Sequence, residues 1–403
     1  MPRAEARPVV MICAATFWNG TTMLDHHLAR ELARYAEVIY LDPPTSVLTK
    51  WRNPAAGKAS RGPWLESVGA GITVARPRVN PLMERRIGKP LALALTRRVM
   101  RRAVRRLGYR PVHAVVLPSL NPLFDVLGER YRVFYASDDL VAGAGLMGIN
   151  DPALARRAAR LPRQADVVAA VSPPLVDALR SLGVAALLIP NGVDVDHFAT
   201  TMTARPPADI VAELAAATGR TSRVVGFVGH LGDRIDADLV AAVADRDCTV
   251  LLVGPRQRTS TPGRLDALLD RPNVCWIGPR DYTELPSVLA AADVWMVPYG
   301  DSDFNRASFP LKLLEYLAAG RRVVATDLPA VHWLQTDLVS VASTPNGFAD
   351  AVQAALAEPL TAAESARRIE FAAGHGWAER VRLLAESIAL TEAAEPARGE
   401  RVG

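Results

Sequence analysis

The sequence predicts an α/β protein with mainly parallel sheets wound on both faces by helices, and three observations carry that expectation. Short Val- and Ile-rich runs alternate with helical patterns along the chain, the signature of βαβ units. Its 403 residues suffice for two or three domains, each with its own core. Half of the residues are hydrophobic and 22% are charged, as in an ordinary globular protein, and no apolar run reaches the roughly 18 residues of a spanning helix.

The elements follow in order. VVMICAAT reads as the first buried strand, followed by a helix near Met23 to Tyr35 and the strand EVIYLDP. The loop TFWNGTTM lies between that strand and helix. There Gly20 permits close backbone approach and Asn19, Thr21 and Thr22 can donate or cap, at the crevice outside strand C-termini. Residues 43 to 80, dense in Pro, Gly and Trp, read as an irregular insertion. A basic amphipathic helix is expected over 84 to 110, then strands HAVVLPS and YRVFYAS, a helix near Pro152 to Gln164, and DVVAAVS. A Thr-, Ala- and Pro-rich linker at 199 to 209 precedes a fresh strand, RVVGFVG, and places a hinge there. Further on, VWMVPYG is a strand, a loop runs to Ser308, and Ser308 with Pro310 marks a helix start. That helix runs to about Ala319, Gly320 stops it, and RRVVATD is the next strand.

VVMICAATFW is too short for a membrane anchor and begins late for a signal peptide, so a cytoplasmic location is expected. Cys13, Cys248 and Cys275 are odd in number, far apart and set in apolar runs, which suits reduced core thiols. No Cys or His pair has metal-ligand spacing, and the acidic pairs Asp138/Asp139, Asp194/Asp196 and Asp301/Asp303 are weak signals, so no metal is expected. Charge is uneven: residues 1 to 195 hold 27 Lys and Arg against 15 Asp and Glu, the remainder 20 against 27. In the basic helix Leu91, Leu95, Val99 and Leu107 recur at helical spacing, while Arg97, Arg98, Arg101, Arg102, Arg105 and Arg106 fill the other faces. Such a face is either plain solvated surface or a dock for anionic lipid; nucleic-acid binding lacks an accompanying aromatic platform or reading module.

The richest chemistry lies in DFNRASFPLKLLEYLAAGRRVVATD, residues 303 to 327. Unpaired amides at its helix start attract phosphate. Lys312 and Glu315, three apart on one helical face, can meet phosphate and ribose hydroxyls, or else form an ordinary surface ion pair.

This block resembles the donor-nucleotide motif of retaining GT-B glycosyltransferases (glycosyl transferases group 1, family 4-like), particularly bacterial enzymes building cell-surface polysaccharides and glycolipids, such as teichuronic acid. Further segments match in the family's order: ADVVAAVSPPLVDALRSLG, LLIPNGVDVDHF, VVGFVGHLGDRIDADLV, TVLLVGP and NVCWIGPRDYTELPSVLAAADVWMVPY. The resemblance implies two Rossmann-like domains facing each other across a cleft: an acceptor domain at 1–198 and a donor domain at 199–372. A helix at 373–390 would cross back to the first domain, and a disordered tail would occupy 391–403.

It also implies site roles. Donor contacts would come from Gly20, Gly229, His230, Arg234, Ile277, Arg280, Ser308, Leu311, Lys312 and Glu315. Arg234 and Lys312 would stabilise the leaving diphosphate without a metal or other cofactor. Asp138, where relatives carry a catalytic-centre histidine, would bind a sugar or else cap residues 140 to 148. The family's first glutamate falls on Ala307, which leaves Asp303, Asn305 or Arg306 as substitutes or the chemistry impaired. The implied activity is sugar transfer from a UDP- or GDP-sugar to a lipid-linked or polysaccharide acceptor, with peripheral contact to an anionic membrane through Arg97, Arg98, Arg101, Arg102 and Arg105. A nucleotide-sugar epimerase of the same architecture and a non-catalytic nucleotide-sugar-binding protein are the rival readings.

Overall fold

The computed structural model describes residues 7–390 apart from 82–87, 110–112, 119–122, 147–148, 150–152, 219–222, 258–261 and 310. The chain divides into two compact units. The first comprises Met1–Val141, Pro152–Pro190 and Trp377–Gly403, and the second Ala142–Asp151 with Asn191–Gly376. The expected boundary at 198/199 therefore falls inside the second unit, and the tail at 391–403 lies outside the described residues.

Among the described residues the first unit is built on eight strands: β1 (Val9–Cys13), β2 (Glu37–Leu41), β3 (Leu65–Gly69), β4 (Ile72–Ala75), β5 (His113–Val116), β6 (Tyr131–Ala136), β7 (Val167–Ala170) and β8 (Leu187–Leu188). Their order in the sheet is β3-β4-β2-β1-β5-β6-β7-β8. Every pairing is parallel except β3 on β4. The central strands are buried throughout, as helices on both faces of a parallel sheet require. Burial pushes the Cys13 thiol up to about 12, so it behaves as a small core hydrophobe.

Four helices follow these strands: α1 (Leu24–Leu32), α2 (Lys89–Leu107), α3 (Leu154–Arg160) and α4 (Pro173–Ser181). The connection through α1 runs toward one sheet edge, whereas those through α2, α3 and α4 run toward the other. Right-handed crossovers therefore put α1 on one face and α2, α3 and α4 together on the opposite face. The helix Trp377–Ser387 belongs to this unit, where Trp377 stacks on His27 of α1 at 5.1 Å between ring centroids.

Two expectations change. The insertion at 43 to 80 is ordered: it holds two short helices and the β3–β4 hairpin, whose turn places Gly69, Ala70 and Gly71 at positive φ. The basic helix buries Ala92, Thr96, Met100, Ala103 and Val104 rather than the Leu91–Leu95–Val99–Leu107 line, and Leu91 is exposed. Ala92, Thr96 and Met100 each lie one position on from Leu91, Leu95 and Val99, a rotation of about 100° about the helix axis. Residues 84–87 and 110 of the expected helix lie outside the described residues.

The second unit has six parallel strands: β9 (Val224–Val228), β10 (Thr249–Val253), β11 (Val274–Trp276), β12 (Val294–Val297), β13 (Arg322–Thr326) and β14 (Val339–Ala342). Its helices include α5 (Val195–Ala199), α6 (Ala208–Thr218), α7 (Ala237–Ala244), α8 (Asp303–Ala307) and α9 (Leu311–Ala318). Strand order is β11-β10-β9-β12-β13-β14, so the direction of winding reverses between β9 and β12. Ligands bind open α/β sheets outside the strand C-termini at such a switch point. The core there is tight: a Cβ on Gly226 of β9 would lie 2.4 Å from the buried Trp295 ring.

Candidate functional site

Two loops flank the switch point of the second unit, one after β9 and one after β12. The first opens at Gly229, whose amide donates to Val253 O at 2.9 Å. Gly254, at φ +140°, packs so closely that a Cβ on it would lie 1.9 Å from Gly229 O, so this crossing of backbones tolerates glycine alone. Gly254 in turn donates to Gly278 O at 2.8 Å and Ile277 to Leu252 O at 3.1 Å, which ties the Ile277 edge to the Gly229 loop.

His230 and Arg234 follow on the same loop. Burial, and then the charges of Lys312 and Arg234, hold the His230 imidazole below its ordinary pKa. The Arg234 guanidinium lies over the rings of Tyr299 at 4.5 Å and Phe304 at 4.9 Å, and its Nε donates to Asn305 Oδ1 at 3.0 Å. Asn305 is buried and spends its amide on this loop, donating from Nδ2 to Arg234 O at 3.1 Å and Gly300 O at 2.8 Å.

After β12 the structure departs from expectation. The segment leading to Ser308 contains α8, capped by Ser302, which accepts from the Asn305 amide at 3.2 Å. The Ser308 hydroxyl donates back to Phe304 O at 2.8 Å and so closes α8. The Leu311 amide donates to Phe309 O at 2.9 Å, and Pro310 lies outside the described residues. On α9, Lys312 Nζ bonds Glu315 Oε2 at 2.6 Å, so the two groups expected to meet phosphate and ribose separately contact each other, with Glu315 the more buried.

The three substitutes considered for the missing glutamate stand in different surroundings. Asn305 is engaged with Arg234, Arg306 pairs with Asp301 at 2.5 Å, and Asp303 is exposed in the first turn of α8. Ala307 itself is buried. Arg280 is held by Asp209 of α6, with Glu284 at 3.9 Å.

Sequence reasoning missed Tyr316. Its hydroxyl accepts from the Val228 amide at 2.9 Å, in full burial beside Trp295, and so fastens α9 to the end of β9. Its signal was an aromatic on the buried face of α9 directly after Glu315.

Gly20 and Asp138 belong to the first unit, whose own switch point lies between β1 and β5. The loop after β1 is pinned by two carboxylates that sequence reasoning also missed. Asp25 accepts from the amides of Ala15 at 3.2 Å and Thr16 at 2.9 Å, and Asp42 accepts from Trp18 at 2.8 Å. Burial works against ionisation of Asp25, yet hydrogen bonds from His26 and Thr16 keep its carboxyl below the usual range. Burial wins at Asp42 and raises it to about 6, against the Trp18 amide and the Arg76 charge. The Gly20 amide donates to Phe17 O at 2.8 Å, and α1 starts after Met23 without a side-chain cap from Thr21 or Thr22. Beside Asp138, Asp139 accepts from the Val141 amide at 2.9 Å.

Comparison with known proteins places this geometry. Residues 222–358 match the family described as Glycosyl transferases group 1. TuaH of Bacillus subtilis (strain 168), named for a glycosyltransferase of teichuronic acid biosynthesis, is 37% identical over 153 residues, covering 38% of this chain and 36% of that protein. A phosphatidyl-myo-inositol mannosyltransferase of Mycobacterium tuberculosis (strain CDC 1551 / Oshkosh) is 31% identical over 194 residues, 46% of each chain. The chain thus spans less than half the length of these curated relatives. A sucrose-phosphate synthase from Thermosynechococcus elongatus shares the fold, with a TM-score of 0.70 at 18% identity over 96% of this chain and 100% of that one. Residues 222–358 thus carry a glycosyl transferases group 1 domain, and the two parallel-sheet α/β units share the fold of GT-B glycosyltransferases.

Proposed function

We propose that the protein transfers a sugar from a nucleotide diphosphate donor to a lipid-linked or polysaccharide acceptor, without a metal and with retention of anomeric configuration. The observation that carries this reading is the cationic cluster at the switch point of the second unit. His230 lies within the electrostatic reach of Arg234 and Lys312, and Arg234 is aimed by Asn305 and two aromatic rings. A leaving diphosphate gains charge as the glycosidic bond breaks, and fixed cations stabilise that charge where it develops. Neutral His230 can donate one hydrogen bond there. Lys312 engages Glu315 through Oε2, a contact that orients the carboxylate toward ribose hydroxyls.

The acceptor class is supported by the relatives' names, one of which specifies phosphatidyl-myo-inositol and the other teichuronic acid biosynthesis. Peripheral binding to an anionic membrane is supported by α2, which exposes Arg97, Arg98, Arg101, Arg102, Arg105 and Arg106, each worth about 1 kcal/mol near an anionic surface. Two of these also serve the unit itself: Arg101 donates to Val126 O, and Arg102 lies over the Trp64 ring at 4.7 Å. Among the described residues no helix is long and apolar enough to cross a membrane.

A non-catalytic binder is the second reading, favoured by buried Ala307 and by the engagement of Asn305 and Arg306 elsewhere. The test is a thermal-shift screen of nucleotide diphosphate sugars against the wild type and Glu315→Ala, followed by turnover with lipid acceptors. A donor at about 100 times its Kd stabilises by about 2.7 kcal/mol. Stabilisation lost in Glu315→Ala, with turnover, supports transfer; stabilisation without turnover for any acceptor supports the binder; no stabilisation by any donor overturns both.

A further inference from the structure

The first unit contains a cavity of about 330 Å³ bounded by the end of β6, by α3 and by α4, and lined chiefly by Phe134, Leu154, Ala158, Leu161, Leu175 and Leu179. Its volume falls at the lower end of small-molecule sites, about 300–1,000 Å³. The charged groups on its wall are Asp138, Asp139 and Arg157. Two carboxylates in the lining disfavour an anion inside the cavity. Outside it the balance reverses. Arg156 and Arg160 of α3 are exposed, and Arg163 follows them, also exposed, donating to Leu182 O at 2.9 Å. The right-handed crossovers put α3 and α4 on the same sheet face as α2 with its six exposed arginines.

An apolar chamber opening among helices whose outer surface is arginine-rich fits an amphiphile with a hydrocarbon tail and an anionic head. We propose that this cavity takes one hydrocarbon chain of an anionic membrane phospholipid while the arginines of α2 and α3 hold headgroups around it. The assignment rests on the reading that this unit works at an anionic membrane. It adds a tail site to a surface otherwise held by charge alone. At ~30 Å³ per water-sized group the cavity accommodates about ten carbons. Charge attraction by itself would be indifferent to chain length, so the two contributions separate cleanly.

The probe is lysophosphatidylglycerol in a series of increasing acyl length, kept below its micelle concentration and titrated into the full chain by calorimetry. Affinity should rise about fourfold per added methylene and level off near about ten carbons. Ala158→Phe, which fills the chamber from α3, should weaken the long-chain members by at least about tenfold. It should leave glycerophosphoglycerol, the headgroup without a chain, unaffected, and lysophosphatidylcholine should bind the wild type more weakly than its phosphatidylglycerol counterpart. Affinity independent of chain length, equal binding to Ala158→Phe, or equal binding of the choline lipid would overturn the inference. Should Ala158→Phe not fold, the chain-length series on the wild type decides alone. Sedimentation with phosphatidylglycerol vesicles, run in parallel, keeps the two ideas apart: vesicle binding without chain-length dependence removes the tail site and leaves membrane docking standing, whereas loss of both removes both.

Discussion

Asn305 offers the sharpest test of how the proposed donor site is built. Its side chain accepts from Arg234 Nε at 3.0 Å and donates to Arg234 O at 3.1 Å and Gly300 O at 2.8 Å, so it fixes both ends of the residue proposed to meet the diphosphate. A hydrogen bond to a charged group contributes about 1.5–3 kcal/mol, so Arg234→Ala should weaken nucleoside diphosphate binding by about 10- to 150-fold. Asn305→Ala leaves the guanidinium in place over Tyr299 and Phe304 but removes its in-plane anchor. The loss of an aiming bond worth about 0.5–1.5 kcal/mol predicts a two- to roughly tenfold weakening. Because Asn305 acts through Arg234, the double variant should bind no worse than Arg234→Ala alone, a coupling that a double-mutant cycle measures directly. Isothermal titration with the nucleoside diphosphate chosen by the donor screen is the assay, with near-ultraviolet circular dichroism confirming that each variant is folded. Additive losses would refute the argument, and so would a folded Asn305→Ala protein with wild-type affinity.

Three further outcomes are expected. Gly254→Ala should abolish folding of the second unit, since its Cβ would lie 1.9 Å from Gly229 O, whereas Gly278→Ala, with nothing within 4 Å, should cost only the roughly 1–2 kcal/mol of a positive φ; circular dichroism melts distinguish the two. The folded pKa of Asp42, about 6, lies above the unfolded value near about 3.9, so its contribution is fully present below about pH 4 and lost as pH rises through about 6. At about 1.4 kcal/mol per unit that amounts to about 3 kcal/mol, and Asp42→Asn should flatten the melting temperature across this window relative to the wild type, an unchanged slope sinking the idea. Replacing Arg97, Arg98 and Arg105 by Glu should end sedimentation with phosphatidylglycerol vesicles, and retained binding would remove α2 from the docking surface.

Strands β9, β12 and β13 of the second unit were legible because parallel strands buried on both faces read as continuous apolar runs such as VVGFV and VWMV. The hairpin of β3 and β4 was not, since β3 is largely exposed and its turn breaks the alternation with Gly69, Ala70 and Gly71. In α2 the arginine pattern was plain, but the buried line fell one position on from Leu91, Leu95 and Val99, where Ala92 and Thr96 carry little hydropathy beside Met100. The switch-point loops of the second unit revealed their cations and the glutamate, whereas the groups that hold them, Asn305 and Tyr316, act through contacts 71 and 88 positions away in sequence. Periodicity is local and cannot report such pairs. Asp25 and Asp42 escaped for the same reason: each looks like an ordinary surface acid beside a helix or strand end until the fold wraps the first loop around it.

The buried Tyr316 hydroxyl has a mechanical consequence. Through it the helix bearing Lys312 and Glu315 is riveted to the strand that delivers Gly229 and His230, inside a core where Trp295 leaves no slack. Relative sliding of the two would strand a buried amide, at a cost of about 1–3 kcal/mol. Within its own unit the proposed nucleotide pocket is therefore set when the chain folds, and a donor taken up there would meet a finished mould. Its affinity is not taxed by assembling those pieces, which leaves selectivity among nucleotides to the shape of the loops rather than to their readiness.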